Sequence, residues 1–211
     1  DSGLSVSASL GLQAHTDISS TDPNVVSAGR SVLLKCLDHL VDMGGTNLCG
    51  VIYSAMQKYD DRPSPAGIAN SQRVLSEISD EAAARGIAVS LEVVNRYETN
   101  VVNTSRAGIA FLSGVTSPNT SLHLDTYHMN IEESDMWQPV LDAGSQLGYV
   151  HIGESHRGYL GTGTVDFTSF FRALARIDYD GPVVFESFSS AVVSAQLSNT
   201  LGIIWPNLGI I

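Results

Sequence analysis

The sequence predicts an α/β protein: a parallel β-sheet covered by helices. Three observations carry that expectation. Short runs of strand length alternate with longer helical segments along the chain. The strand-like runs are largely apolar, as strands covered on both faces are. The helical segments are amphipathic, so each has one face to lay on such a sheet.

Taken in order, "LSVSASLGL" (4–12) reads as the first strand. Thr21-Asp22-Pro23 then offers a cap followed by proline at a first helical turn. The helix that follows carries Leu33, Leu37, Leu40 and Val41 at helical spacing and stops at Gly44-Gly45. "TNLCGVIYSA" is the second strand. "PAGIANSQRVLSEISDEAAARG" is the second helix, with Val74, Leu75, Ile78 and Ala82 on one face and Gly86 as its stop. "IAVSLEVV" is the third strand, followed by a helix from about Asn103 to Leu112. "SLHLD" is the fourth, followed by a helix from about Asp135 to Leu147, with Glu132 and Glu133 expected at a helix N-terminus. "YVHIG" is the fifth, "DFTSFFRALARI" its helix, and "PVVFES" the sixth strand. An open doubly wound sheet and a (β/α)8 barrel both fit this pattern. The chain has no G-x-G-x-x-G turn and no P-loop, which removes the support for a nucleotide-binding open sheet. Six strands are too few for a closed eight-stranded barrel, so a barrel here would lack two βα units.

Composition narrows the function classes. The 211 residues fit one domain, residues 1–211, and 43% hydrophobic residues suffice for a core. The net charge of −11, with no Lys/Arg-rich run, argues against a nucleic-acid partner. No apolar stretch reaches the roughly 18 residues that would cross a membrane. Cys36 and Cys49 lack zinc-site spacing and read as small buried residues in a reducing compartment. With no signal peptide visible, a cytoplasmic location is expected. The start, "DSGLSVSASLGL", lacks a methionine, and the end, "LGIIWPNLGII", is an uncharged apolar tail. Both ends read as cut.

The chemistry lies in four polar residues at equivalent places in the last four strands. Glu92 follows "IAVSL", Asp125 follows "SLHL", His151 follows "YV" and Glu186 follows "PVVF". Their separations of 33, 26 and 35 residues are each about one βα repeat. Groups at the C-terminal ends of consecutive parallel strands converge above the sheet, where barrel enzymes place their chemistry. Two Glu, one Asp and one His suit a borderline-hard divalent ion such as Mn²⁺, Co²⁺ or Mg²⁺, and the lack of thiolates weighs against a Cys-type zinc site. Glu98, His128 and Arg157 fall in loops on the same face. His123 is in phase with Asp125 and is expected to point inward one layer deeper, as a packed polar residue.

At these residues the sequence closely resembles the ketose 3-epimerases, the D-tagatose 3-epimerase and D-allulose (D-psicose) 3-epimerase enzymes of the xylose-isomerase-like TIM-barrel group. The segments that carry the resemblance are "LEVVNRYE" (91–98), "HLDTYHMNIEE" (123–133), "HIGESHRGYLGTG" (151–163) and "VVFESF" (183–188), with "DPNVVSAG" and "CGVIYSAM" in the N-terminal half. The resemblance implies a (β/α)8 barrel, here lacking the first two βα units and the last helix. It implies one divalent metal ion, Mn²⁺ ahead of Co²⁺ or Mg²⁺, held by Glu92, Asp125, His151 and Glu186. It implies Glu92 and Glu186 as the catalytic acid/base pair, with Glu98, His128 and Arg157 holding the substrate's O1–O3 end and His151 also binding substrate. His156 stands where the family usually has Asn, which changes the hydrogen bonding near Arg157. A homo-oligomer, dimer or tetramer, is implied as well.

The implied reaction is epimerisation of a free ketose at C3, of the D-fructose/D-allulose or D-tagatose/D-sorbose type. A proton leaves the carbon beside the ketone, giving a metal-stabilised enediolate, and one returns on the opposite face; two carboxylates are the minimum equipment for that inversion. Three carboxylates against a divalent ion leave a formal charge of −1, which suits a neutral sugar. An aldose–ketose isomerase on the same metal site, or an inactive metal- or sugar-binding fragment, are the alternative expectations.

Overall fold

A computed structural model of the chain describes residues 3–188. The elements run β1 (Val6–Ser9), α1 (Pro23–Asp42), β2 (Gly45–Gly50), α2 (Pro65–Ala84), β3 (Ala88–Val93), α3 (Ser105–Leu112), β4 (Thr120–Asp125), α4 (Thr126–Glu132), α5 (Gln138–Ala143), β5 (Leu147–Ile152), α6 (Phe167–Arg176) and β6 (Val183–Phe185). Helix starts are set by side-chain caps. Asp22 accepts from Asn24 N, Ser64 from Gly67 N, Thr104 from Ala107 N and Asp166 from Ser169 N, with proline opening α1 and α2. Gly44 ends α1 at φ 67, a conformation that costs glycine nothing.

All six strands are parallel and lie in the sheet in chain order. A doubly wound sheet reverses its strand order at a switch point, and this one does not. The sheet is also rolled. Laid flat, β1 and β5 would sit about 19 Å apart, yet the hydroxyls of Ser7 and Tyr149 meet at 2.6 Å across the concave face. That curl is the barrel's. Among the described residues, β1 and β6 are its edges, each paired on one side.

The outer face of the sheet carries the apolar core. Leu33, Leu37 and Leu40 of α1, Val74, Leu75, Ile78 and Ala82 of α2, and Phe170, Ala173 and Leu174 of α6 pack there with Val89, Leu91, Leu122, Leu124 and Val150 of the strands. Val41 was expected on the buried stripe of α1 but is 50% exposed, because it lies one helical step past Leu40. The inner face is polar. His123 is fully buried there, its ring 5.0 Å from that of Tyr149 and 4.1 Å from that of His151, in the layer expected for it. Cys36 is half-buried and Cys49 buried, both as free thiols.

The segment after β4 differs from expectation. A helix starts at once, because Asp125 itself serves as N-cap by accepting from Tyr127 N at 2.7 Å. The helix expected over 135–147 shortens to α5 and a 3₁₀ turn. Glu132 and Glu133 therefore close α4 at its C-terminal end rather than opening a helix. Their charges are met elsewhere: Glu132 pairs with Arg96, and Glu133 accepts from Ser105 N at the first turn of α3. No helix of the described residues is long and apolar enough to cross a membrane. The expected lack of a last helix and the apolar tail concern residues 189–211, outside the described residues.

Candidate active site

Four strand ends deliver the candidate ligands. Glu92 lies on β3, Asp125 ends β4, His151 lies on β5, and Glu186 follows β6 with its N–H donating to Ile152 O at 3.0 Å. Asp125 faces His151 directly in the β4–β5 register, whereas Glu92 is level with His123, one layer down. One donor atom from each of Glu92, Asp125, His151 and Glu186 lies within 4.8 Å of the others. Glu92 is 6% exposed, Asp125 fully buried and His151 4% exposed.

So many carboxylates in so little water push against one another. Burial raises Glu92, with the Glu186 charge adding to it, and burial raises Asp125 well above the carboxylate range against the pull of Arg157. Burial works in the same direction on Glu186, but His151, Asp125 and Arg157 overcome it and hold that carboxyl low. Burial opposes a charge on His151, yet the Glu186 and Glu92 carboxylates, 3.3 and 3.7 Å from its Nδ1, push it up to about 10. Nδ1 of His151 is buried without a hydrogen-bond partner, and the buried Oε2 of Glu186 has only the ion pair with Arg157 against it. Buried polar atoms are rarely left so. Three carboxylates and one imidazole that converge within 4.8 Å, the imidazole with an orphaned buried nitrogen, fit a divalent cation of hard-to-borderline character.

The remaining expected residues surround a cavity of about 550 Å³ above this cluster, a volume within the small-molecule range. Glu92, Glu98, His128, Arg157 and Glu186 line it, with Val51, Met56, Tyr127 and Phe188 as its apolar wall. Arg157 NH1 donates to Asp125 Oδ2 at 2.9 Å and lies 2.8 Å from Glu186 Oε2. Its guanidinium stacks on the Tyr127 ring at 4.0 Å and lies 5.0 Å from the Phe188 ring centre. Burial, then the nearby Arg157 charge, lowers His128 to about 3, so its ring is neutral. Burial raises Glu98, against a hydrogen bond from Asn95. His156 also lines the cavity, its exposed Nε2 3.3 Å from Thr162 Oγ1.

Two positions that hold the site's residues in place by hydrogen bonds escaped the sequence reading. Asn95 bridges Glu98 and His128. Glu154 is fully buried just past β5 and gathers backbone N–H groups of the Arg157 segment. Both lie inside the motifs quoted above, but only folding reveals their partners.

Comparison with known proteins agrees with this geometry. A family model described as xylose isomerase-like TIM barrel matches residues 1–202. The ketose 3-epimerase of Arthrobacter globiformis is 61% identical over 206 residues, covering 98% of this chain and 71% of that protein. The L-ribulose 3-epimerase of a Methylomonas species is 58% identical over 205 residues, 97% of this chain and 71% of the other. The crystal structure of a Methylomonas D-allulose 3-epimerase in complex with D-allulose superposes with a TM-score of 0.85 at 59% identity, covering 93% of this chain and 68% of that one. Strand order, clustered strand-end residues and these identities agree: the chain belongs to the ketose 3-epimerases, isomerases of the xylose isomerase-like TIM-barrel family.

Proposed function

We propose that this chain inverts C3 of a free ketose of the D-allulose/D-fructose or D-tagatose/D-sorbose type, with Glu92 and Glu186 as its acid/base pair. The observation that carries the reading is their placement. They arrive from β3 and from the end of β6, on either side of β4 and β5, and their carboxylates approach the same His151 nitrogen at 3.7 and 3.3 Å.

Glu92, Asp125, His151 and Glu186 would hold one divalent ion, Mn²⁺ ahead of Co²⁺ or Mg²⁺, which when bound supplies a Lewis acid for the oxygens at C2 and C3. Around it the chain's own groups do the positioning. The neutral His128 and the carboxylate of Glu98 face the cavity as donor and acceptor for sugar hydroxyls, and Arg157 closes the O1–O3 end. Tyr127 and Phe188 exclude water from the face of that guanidinium. Arg157 is already matched by Asp125 and Glu186, which leaves a neutral sugar, not a sugar phosphate, as the better fit. Membership of the family supports a dimer or tetramer as the working assembly.

The test is incubation of D-fructose and D-tagatose with the Mn²⁺-loaded protein in D₂O, following deuterium at each carbon by NMR. Label at C3 together with the C3 epimer is the expected result. Label at C1 or C2 would make the protein an aldose–ketose isomerase, and no label above the chelated control would reduce it to a metal- or sugar-binding chain.

A further inference from the structure

The segment between β5 and α6 is folded around one carboxylate. Glu154 is fully buried, and its Oε1 accepts from Ser155 N at 2.8 Å and from Val165 N at 3.2 Å. Its Oε2 accepts from Gly161 N at 2.9 Å, and the Gly163 N–H also supports the charge. Entrance, far side and exit of the loop are thus tied to a single side chain. The loop has been shaped to allow it. A Cβ on Gly163 would fall 2.5 Å from Glu154 Oε1, and Gly161 sits at φ 78, where side chains are strained.

Inside this ring lies Arg157. Its N–H donates to the Glu154 carbonyl at 2.8 Å, and its own backbone is held at φ 55, uncommon for any residue but glycine. From the other side its carbonyl accepts from the Ser187 hydroxyl at 2.6 Å and from Phe188 N at 3.0 Å. A strained backbone persists only where its surroundings over-determine it, and such strain gathers at functional positions. Burying a charge is costly, and closing a surface loop does not require one. What the charge does here is hold several N–H groups at once, more firmly than a neutral acceptor could.

We propose that Glu154 is a positioning residue for the reaction: its buried carboxylate sets the loop that presents the Arg157 guanidinium to the sugar. Glu154 does not line the cavity, so it acts through Arg157. This rests on the reading of Arg157 as a sugar-binding group. An amide at position 154 would keep one acceptor oxygen and turn an NH₂ toward the Gly161 N–H, loosening the far side of the ring.

The experiment is a double-mutant cycle in the whole Mn²⁺-saturated chain, with kcat/KM for ketose epimerisation read in the parent, Glu154→Gln, Arg157→Ala and the double variant. Displacing a positioned group by about an ångström costs about 10²-fold, and a loss of that order is expected for Glu154→Gln. In the Arg157→Ala background the same change is expected to cost nothing further. Hydrogen exchange should show amides of residues 155–165 opening in Glu154→Gln while those of β3 to β5 keep their protection. A loss that adds in full to that of Arg157→Ala would overturn the proposal, as would no loss at all. If Arg157→Ala itself retains full kcat/KM, the sugar-binding reading of Arg157 fails, and this inference falls with it. Should Glu154→Gln fail to fold, Gly163→Ala crowds both the Ser155 hydroxyl and the carboxylate without removing its charge and is expected to give the same non-additive loss; an additive one would count against the proposal.

Discussion

Asn95 donates to Nδ1 of His128 twice, from its backbone N–H at 3.2 Å and from its side-chain Nδ2 at 2.8 Å. The orientation of the Asn95 amide is settled by its other bonds, because Oδ1 accepts from Tyr97 N and Nδ2 also donates to Glu98. Nδ1 therefore carries no proton, and the neutral ring keeps its hydrogen on Nε2, the edge toward Glu92, Glu98 and Asp125. The 3.4 Å approach of Arg157 NH2 to Nε2 is then a contact of two donors rather than a hydrogen bond.

Asn95→Asp tests that assignment. It presents an acceptor where Nδ2 stood while the residue 95 N–H still points at Nδ1, so the single tautomer that Asn95 enforces is no longer fixed. Loss of the positioned donor from a sugar-binding group costs about 10²-fold, so kcat/KM should fall by that order. Nitrogen-15 chemical shifts of the His128 ring should report the loss of that single tautomer.

Asp125 does two jobs, and two substitutions separate them. Its Oδ1 caps α4 at Tyr127 N, and its Oδ2 meets Arg157. Asp125→Asn keeps an acceptor for the cap but turns an NH₂ toward Arg157, so without metal it should lose the stability of that pairing while keeping the cap, and Mn²⁺ affinity should fall. Asp125→Ala loses the cap as well, at about 1 kcal/mol. In the parent, Mn²⁺ at 100 times its Kd should add about 2.7 kcal/mol of stability, and chelation should remove it. Calorimetry with and without metal separates the three.

Glu154 gives a pH dependence with a definite sign. Burial alone would raise this carboxyl, but its backbone N–H bonds win and bring it down to about 2 from an ordinary 4.5. A group depressed in the folded state stabilises the fold above its unfolded value and loses that contribution as pH falls through its folded value. Unfolding free energies of the parent and Glu154→Gln should therefore differ most above pH 4.5 and converge as pH approaches 2. A constant difference across that range would count against the depressed carboxyl.

What could be seen in the sequence follows from how each feature is encoded. Strands and helices show themselves through periodicity, so the six strands and their order of appearance were readable, and so was the converging set Glu92, Asp125, His151 and Glu186. Those four residues repeat at the interval of the βα unit. Helix α4 was not readable, because it begins on the residue after Asp125 with no breaker between, and its N-cap is the same carboxylate that joins the cluster at the strand ends. Glu132 and Glu133 were misplaced for the same reason. Asn95 and Glu154 left no signal because their partners are a ring nitrogen 33 positions away and the N–H groups of a loop, neither of which has a side-chain signature. The roll of the sheet was hidden too, since what reveals it is a contact between Ser7 and Tyr149, which lie 142 positions apart.

The two-base reading makes a sharper prediction than loss of activity. If Glu92 and Glu186 serve opposite faces of C3, each handles the proton of one epimer. Removing one of them leaves the other able to take its own proton and return it to the face it left. At saturating Mn²⁺, Glu92→Gln and Glu186→Gln should each slow epimerisation by about 10²–10⁴-fold. Each should still wash solvent deuterium into C3 of one epimer without inverting it, and the two variants should choose opposite epimers. Glutamine retains an oxygen for the metal, so the comparison holds only where calorimetry shows both variants loaded. A single base would behave otherwise: one variant would lose exchange into both epimers, and the other would keep both exchange and inversion. NMR of paired incubations, one per epimer and variant, distinguishes the patterns directly, and the second one would remove either Glu92 or Glu186 from the chemistry.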